Sequence, residues 1–458
     1  METLQIFNTL NSKKEVFIPI DKDHIKIYAC GPTVYNFAHI GNARMAVVFD
    51  TFVRTLRVIY PKVTYVSNIT DIDDKIIDAA KEQNVEISEI TEKYTQIYND
   101  DMSMLNVLEP DIQPKATEYI PEMIALIEDL IAKEFAYEKD NHVLFHVPAY
   151  SKYGELSNRN REEQIAGSRV EIAPFKKDPS DFVLWKPSDD SQPGWDSPWG
   201  FGRPGWHTEC SAMSEKTLGL PFDIHGGGRD LIFPHHENEI AQSCCSTANI
   251  DEPDSYAKYW MHNGFVTIEG EKMSKSLGNI ILVRDLTNNY HGEAIRLALL
   301  SSHYRQGLDW NEKIIYQAKK LLTKIYQILD ELKDIQEIES ESLNIESITT
   351  LMDDLNTPGL IAELNQIAKE YNTNKNIDKK KIKSKLLFIG SVLGIFEDKA
   401  FNKISDDLKE KVEVLINDRD IAKSQKNFEL ADKIRDELNE LGIEIKDTSD
   451  GTSWNIKS

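Results

Sequence analysis

Cysteine is scarce in this chain: four residues in 458, at Cys30, Cys210, Cys244 and Cys245. Spacing so sparse and irregular excludes a disulfide framework and suits reduced thiols or metal ligands. Long apolar runs are also missing. Nothing approaches the roughly 20 apolar residues of a bilayer-spanning helix, and Met1 to Ile18 lack a basic patch followed by an apolar segment. No membrane partner and a cytoplasmic location are therefore expected. Basic charge is in deficit as well, since 53 Lys and Arg face 76 Asp and Glu, a formal net charge of -23. That balance excludes wholesale electrostatic adsorption to nucleic acid and leaves any polyanion to local basic clusters.

What is present is the composition of a globular protein, 40% apolar and 28% charged. The length exceeds one ordinary core and predicts about three or four packed units. From His24, HIKIYAC reads as a short strand, followed by a Gly31-Pro32 turn and a helix through Arg44, Val48 and Phe52. A second unit follows, with a strand over Val63 to Asn68 and a helix after Asp71, Asp73 and Asp74. Alternating strands and helices imply an α/β fold with a parallel sheet and a ligand crevice at the strands' carboxyl ends. From about Asp101 to Pro204 that rhythm is broken, which predicts an inserted subdomain with a hairpin around HVLFHVP. The rhythm returns in FDIHGGGRD, and a hairpin pattern surrounds Glu269 and Gly270. Beyond about Tyr290 the period is helical, with Ile314, Leu321, Ile325, Ile328 and Leu332 predicting a helical bundle, and the chain ends as a small helix plus hairpin.

Two segments have the chemistry of a nucleotide site. In CGPTVYNFAHIGNAR, His39, Ile40, Gly41 and Asn42 open a helix, where a glycine admits a phosphate and free N–H groups meet it. The plainer reading is an ordinary turn. In GEKMSKSLGN, Lys272 and Lys275 lie with Ser274 and Ser276 in a glycine-flanked loop, suited to pyrophosphate charge, where the plainer reading is a solvated basic turn. A third constellation suits a metal. His235 and Glu239, four apart after Pro234, share a helix face, and Cys30 and Cys210 are placed at predicted strand ends bordering the crevice. Two thiolates, an imidazole and a carboxylate suit zinc, and an open zinc binds a substrate thiolate far better than a hydroxyl. A closed zinc site, or two buried apolar cysteines, remain alternatives at this point. Adjacent Cys244 and Cys245 are expected in the core.

HIGN and KMSKS in this order, more than two hundred residues apart, resemble the paired signatures of class I aminoacyl-tRNA synthetases. With CGPTVY, NITDIDDKI, GWHTECSAM, HGGGRDLIFPHHENEIAQS, NGFVTIEGEKMSKSLGN and the terminal DTSDGTSW, the chain resembles the cysteinyl-tRNA synthetases from end to end. The resemblance implies activation of L-cysteine by ATP and Mg2+, then transfer to tRNA(Cys). It implies one zinc held by Cys30, Cys210, His235 and Glu239, with Trp206 and His225 closing around the substrate and Thr70 helping to hold it. Catalysis falls to His39, Asn42, Lys272 and Lys275, and ATP binding to Gly41, Asp230 and Lys275. Position 42 departs from the family's HIGH pattern, and asparagine there keeps a side-chain N–H for phosphate without a titratable proton. Anticodon contacts are expected from Trp454, Arg419, Lys423 or Lys426.

The expected organisation is a Rossmann-like catalytic first half (1–110), an inserted connective subdomain (111–204) and a catalytic second half (205–265). A KMSKS and stem-contact region (266–312), a helical bundle (313–398) and an anticodon-binding domain (399–458) follow, in a monomer. The rival reading is a ligase of the same fold joining cysteine to a sugar amine, against which the long C-terminal part argues.

Overall fold

The computed structural model describes residues 3–167, 174–189, 192–247, 250, 252–274, 277–397, 406–440, 443–448 and 451–456. A small hairpin, β1 (Gln5–Asn8) and β2 (Lys13–Val16), leads into the first repeating unit. That unit comprises β3 (Ile25–Ala29), α1 (Ile40–Ile59), β4 (Val63–Ser67), α2 (Asp74–Gln83) and α3 (Ile87–Ser103). Then come α4 (Ile120–Ala132), the hairpin β5 (Ala136–Lys139) and β6 (His142–Phe145), α5 (Arg161–Gly167), β7 (Phe182–Pro187) and β8 (Gly202–Pro204). Strands β5 to β8 form an antiparallel sheet of their own, interrupting the α/β order where the expected insertion lies. The order resumes with α6 (Trp206–Leu218), β9 (Phe222–Gly228), α7 (Glu237–Ser246) and β10 (Ala257–Asn263).

The central sheet runs β10-β9-β3-β4 and is parallel throughout. Both faces of the sheet are covered, with Ile25, Ile27, Tyr28, Val66, Phe222 and Ile224 all buried. Helix α1 packs on it through Val47, Phe49, Phe52, Val53 and Leu56. In its C-terminal half Asp50 pairs with Arg54 at 2.9 Å and with the fully buried Arg296. The Arg296 guanidinium also donates to the Leu105 and Asn106 carbonyls, each at 3.1 Å, so the helix is tied to the chain beyond the sheet.

After the sheet come β11 (Val266–Ile268), β12 (Glu271–Lys272), α8 (Val283–Thr287), α9 (Gly292–Leu299) and β13 (Leu308–Trp310). Strands β11 and β12 form the expected hairpin around Glu269 and Gly270, with β13 parallel to β11 on its other edge. Helices α10 (Glu312–Glu331), α11 (Glu341–Ile348), α12 (Thr357–Thr373) and α13 (Lys379–Leu393) follow. The helical period resolves on α10 as buried Leu321, Ile325 and Ile328, while Ile314 is only half-buried. Helices α14 (Asp406–Ser424) and α15 (Phe428–Glu440) precede the hairpin β14 (Ile443–Thr448) and β15 (Gly451–Ile456).

Two of the cations expected at an anticodon are engaged within the chain. Arg419 grips Asp447 at two points, 2.9 and 3.0 Å, and Lys423 reaches the same carboxylate at 2.9 Å, tying α14 to β14. Lys426 occupies the turn between α14 and α15. Trp454 pairs with Ile445 in the hairpin register, and its side chain lies outside the described residues. Among the described residues no helix is long and apolar enough to cross a membrane.

Candidate metal and nucleotide site

Cys30, Asn68 to Thr70 and Asp230 follow the carboxyl ends of three adjacent parallel strands, β3, β4 and β9, where such sheets open their crevice. Cys30 continues the ladder, its N–H donating to the Gly226 carbonyl at 3.0 Å. Gly31 comes next because a Cβ there would lie 1.6 Å from the Asn68 carbonyl oxygen, so only glycine lets the two strand ends pass. Cys210 is not at a strand end, as its sequence setting suggested. It lies in the second turn of α6, whose start at Trp206 follows the Gly205 cap, and helix packing against the sheet carries its sulfur to the crevice. His235 likewise sits just before a regular helix, in an irregular segment Ile232–His236 whose Phe233 is extended; α7 begins at Glu237. Its ring still meets Glu239, with Nε2 3.0 Å from Oε1.

These four side chains converge, all of them buried. The sulfurs of Cys30 and Cys210 are 3.7 Å apart, and Cys30 Sγ is 3.6 Å from Glu239 Oε1. A tetrahedral zinc, with bonds of about 2.3 Å to sulfur and about 2.0 Å to nitrogen or oxygen, spaces its donors about 3.3 to 3.8 Å apart. The two edges from Cys30 have that spacing, the imidazole–carboxylate edge is slightly tighter, and all four donor atoms lie within 4.8 Å of one another, a set of two thiols, an imidazole and a carboxylate that suits zinc. Cys210, accepting from the Cys30 thiol, is held down to about 6, while burial pushes the Cys30 thiol well up. Burial also opposes charge on Glu239, yet His225 and His235 together hold its carboxyl well below the ordinary range.

A shell of buried groups fixes the four. Glu239 Oε2 accepts from His225 Nε2 and from the Tyr256 hydroxyl, each at 2.8 Å, which turns Oε1 toward the sulfurs. His225 is wholly buried and stacked on Trp260 at 4.5 Å, so it stands behind the carboxylate. His235 Nδ1 is 2.9 Å from His207 Nδ1, and the Trp206 indole lies over the His235 ring at 4.2 Å, 22° from parallel. Trp206 keeps 39% of its surface exposed, which places it at the mouth of the crevice. Burial and the neighbouring His235 push His207 down to about 3, leaving it neutral. His236, which sequence reasoning missed, has Nε2 3.3 Å from Cys30 Sγ and 4.0 Å from Glu239 Oε1. With His225 it makes a second donor set overlapping the first at Cys30 and Glu239. Its Nδ1 meets His262 Nε2 at 2.8 Å, and His262 in turn meets Thr9. The adjacent histidine pair in PHHEN was the available signal.

Thr70 is buried beside the cluster: its hydroxyl accepts from the Asn68 amide at 3.2 Å, and the Asn68 oxygen is 3.7 Å from Cys210 Sγ. At the start of α1, His39 Nδ1 accepts from the Gly41 and Asn42 N–H groups at 3.1 and 3.3 Å. Nδ1 is therefore unprotonated and Nε2 carries the hydrogen, consistent with burial lowering the His39 pKa. Asn42 closes the cap by accepting the His39 N–H at 3.1 Å through Oδ1, which leaves its NH2 as the group able to donate outward. Histidine in that place would use one ring nitrogen for each job, so asparagine reproduces both.

The two signature segments meet. A Cβ on Gly41 would come within 3.3 Å of Met273 Cε, and the Ile40 N–H donates to the Ile281 carbonyl at 2.9 Å. Asn279 clasps the loop, accepting from Ser274 N–H at 2.9 Å and donating to the Lys272 carbonyl at 3.2 Å. Lys272 is exposed, and Asp230, also exposed, lies close enough for its charge to be felt at His39. Lys275 lies outside the described residues.

Three family models match along the chain: the tRNA synthetases class I (C) catalytic domain over residues 16–320, the DALR domain over 348–397, and the cysteinyl-tRNA ligase anticodon binding domain over 405–454. The chain is 52% identical to a cysteine-tRNA ligase of Parvibaculum lavamentivorans, over 99% of this chain and 98% of that protein. It is 51% identical to one of Rhodospirillum rubrum, over 99% of each. Its fold is similar to that of the Mycobacterium tuberculosis methionyl-tRNA synthetase in complex with methionyl-adenylate, with a TM-score of 0.59, 14% identity and 81% and 89% of the two chains covered. A LeuRS-tRNA complex of Agrobacterium radiobacter gives 0.60, at 11% identity over 82% and 84%.

Proposed function

The chain belongs to the cysteine-tRNA ligase family of class I aminoacyl-tRNA synthetases, and from that premise we propose how its residues divide the work. The enzyme is a ligase that activates cysteine with ATP and transfers it to tRNA. The sugar-amine alternative falls away, because residues 405–454 match an anticodon binding domain that a small acceptor would not engage. The observation that carries the assignment of roles is the convergence of Cys30, Cys210, His235 and Glu239 into one buried cluster beside the crevice.

These four residues would hold zinc. When bound, the ion supplies a soft Lewis acid that prefers a thiolate to a hydroxyl, which separates cysteine from serine without a second, editing site. Trp206, over His235 at the mouth, and Thr70, beside the cluster, would enclose the amino acid. His225 acts from behind Glu239, keeping one carboxylate oxygen turned to the metal.

The cysteine carboxylate attacks the α-phosphate of magnesium-bound ATP in line, its oxygen bonding to phosphorus as the bond to the pyrophosphate oxygen breaks. His39 Nε2–H and the Asn42 NH2 donate to the phosphate oxygens as charge gathers there, and Lys272 and Lys275 neutralise the leaving pyrophosphate. Asp230 accepts from the ribose hydroxyls. A ribose hydroxyl of the terminal adenosine of tRNA(Cys) then attacks the carbonyl and releases AMP. The test is cysteine-dependent exchange of pyrophosphate into ATP, followed by charging of purified tRNA(Cys). Exchange that serine supports as well as cysteine would overturn the proposed selection, and exchange without charging would overturn the tRNA step.

A further inference from the structure

Arg44 is buried completely, yet among the described residues no carboxylate pairs with it. Its guanidinium Nη1 donates to the Gly264 and Phe265 carbonyls at 3.0 and 2.9 Å, and Nη2 to the His303 carbonyl at 3.2 Å. Nε has no partner among the described residues. Burying a cation on neutral acceptors alone is a poor source of stability, so the arrangement asks for a positional reason.

The geometry supplies one. Arg44 stands one turn into α1, on the helix whose first residues carry His39 and Asn42. The two carbonyls that its Nη1 grips belong to Gly264 and Phe265, which join the end of β10 to the start of β11, the hairpin that carries Lys272; the His303 carbonyl held by Nη2 lies before β13. That junction admits no slack: the Gly264 N–H donates to the Tyr304 carbonyl at 2.7 Å, and a Cβ on Gly264 would lie 2.3 Å from the Gln306 carbonyl oxygen. The Phe265 side chain, 48% exposed, points the other way, and the Lys272 ammonium lies 5.9 Å from its ring centre. One guanidinium thus joins the helix start that carries two phosphate donors to the strand and ring that support a third. A flat fork can hold two backbone turns at once, which a lysine ammonium cannot.

We propose that Arg44 is a positioning residue for ATP: through the Phe265 carbonyl it sets where Lys272 stands relative to His39 and Asn42. This rests on the assignment of Lys272 to the phosphates given above. Displacement of a donor by about 1 Å costs about a hundredfold in rate, so Arg44→Lys is expected to slow pyrophosphate exchange by about tenfold to a hundredfold. Zinc content and the KM for cysteine stay unchanged, because the cluster is carried by the end of β3, by α6 and by the segment around the start of α7, and the hydrogen bonds of Arg44 go instead to Gly264, Phe265 and His303.

The test is a double-mutant cycle with Lys272→Ala. If Arg44 acts through Lys272, the Arg44→Lys change costs less than about twofold once Lys272 is gone. An equal loss in both backgrounds would show only general loosening and overturn the inference, as would unchanged exchange in Arg44→Lys. Should that variant fail to fold by circular dichroism, Phe265→Leu takes its place: removing the exposed ring raises the KM for ATP by about two- to fivefold with Lys272 present and not without it. No rise overturns the inference. Absence of cysteine-dependent exchange in the unmodified enzyme would overturn the catalytic reading, and the role of Arg44 with it.

Discussion

Replacing Tyr256 by phenylalanine removes a single oxygen and tests whether the carboxylate of Glu239 is held in place from behind. The Tyr256 hydroxyl donates to Glu239 Oε2 at 2.8 Å and contacts Ser214 Oγ at 2.9 Å, inside a fully buried pocket. The ring keeps its contacts with Phe222, His225 and Trp260, so packing is preserved. A hydrogen bond to a charged acceptor is worth about 1.5 to 3 kcal/mol. His225 still holds the same oxygen, so the lower half of that range applies, and about 1.4 kcal/mol is a factor of ten. Zinc affinity should therefore fall about tenfold, within the about 10- to 100-fold seen when partners of metal ligands are removed. The assay is competition for zinc with a chromophoric chelator, alongside thermal unfolding to confirm that the fold survives. Affinity within about twofold of the unmodified protein would refute the idea that Tyr256 orients Glu239.

Three further outcomes are expected. Cys210→Ser should lose most of its roughly one zinc per chain and raise the KM for cysteine at least about tenfold, with the KM for ATP little changed; full zinc content by metal analysis would contradict the ligand set. Pyrophosphate exchange should be flat through neutral pH and fall on the acid side. Burial depresses the His39 pKa, so the unprotonated Nδ1 that caps α1 is fully available above the unfolded value of about 6.5 and is lost as pH falls through the lower folded value. A rate that rises toward acid would refute this. Asp50→Ala should destabilise the protein by about 3 to 5 kcal/mol in urea unfolding, because it strands the wholly buried Arg296; a loss under about 1 kcal/mol would show that the carbonyls around Arg296 suffice.

Parts of this architecture were legible in the sequence for identifiable reasons. Strands β3 and β4 read correctly because each is a short segment rich in β-branched and aromatic residues, IKIYA and VTYVS, set before a turn signal. The pairing of His235 with Glu239 was legible from their spacing, although the local helix is not regular there. Cys210 was misplaced because α6 is buried on nearly every side and shows no helical period, and its GWHTEC start, following Gly202 and Pro204, reads as the end of a strand. Tyr256 and His262 were invisible for another reason. They enter the site only because β10 lies beside β9, setting Trp260 opposite His225 and His262 opposite Gly227, a register that no local pattern encodes. The cations Arg419 and Lys423 looked available because a charged residue in sequence carries no sign of the partner that awaits it; Asp447 arrives from a later hairpin.

The four cluster residues are drawn from segments as far apart as Cys30 and Glu239. While the protein is being synthesised, the first sulfur emerges from the ribosome long before the carboxylate, with the whole antiparallel subdomain still to come. The complete set of four donors exists only once that stretch has folded and α7 has emerged, so a zinc held as proposed would gain its full cage late in synthesis, after the segments between are in place.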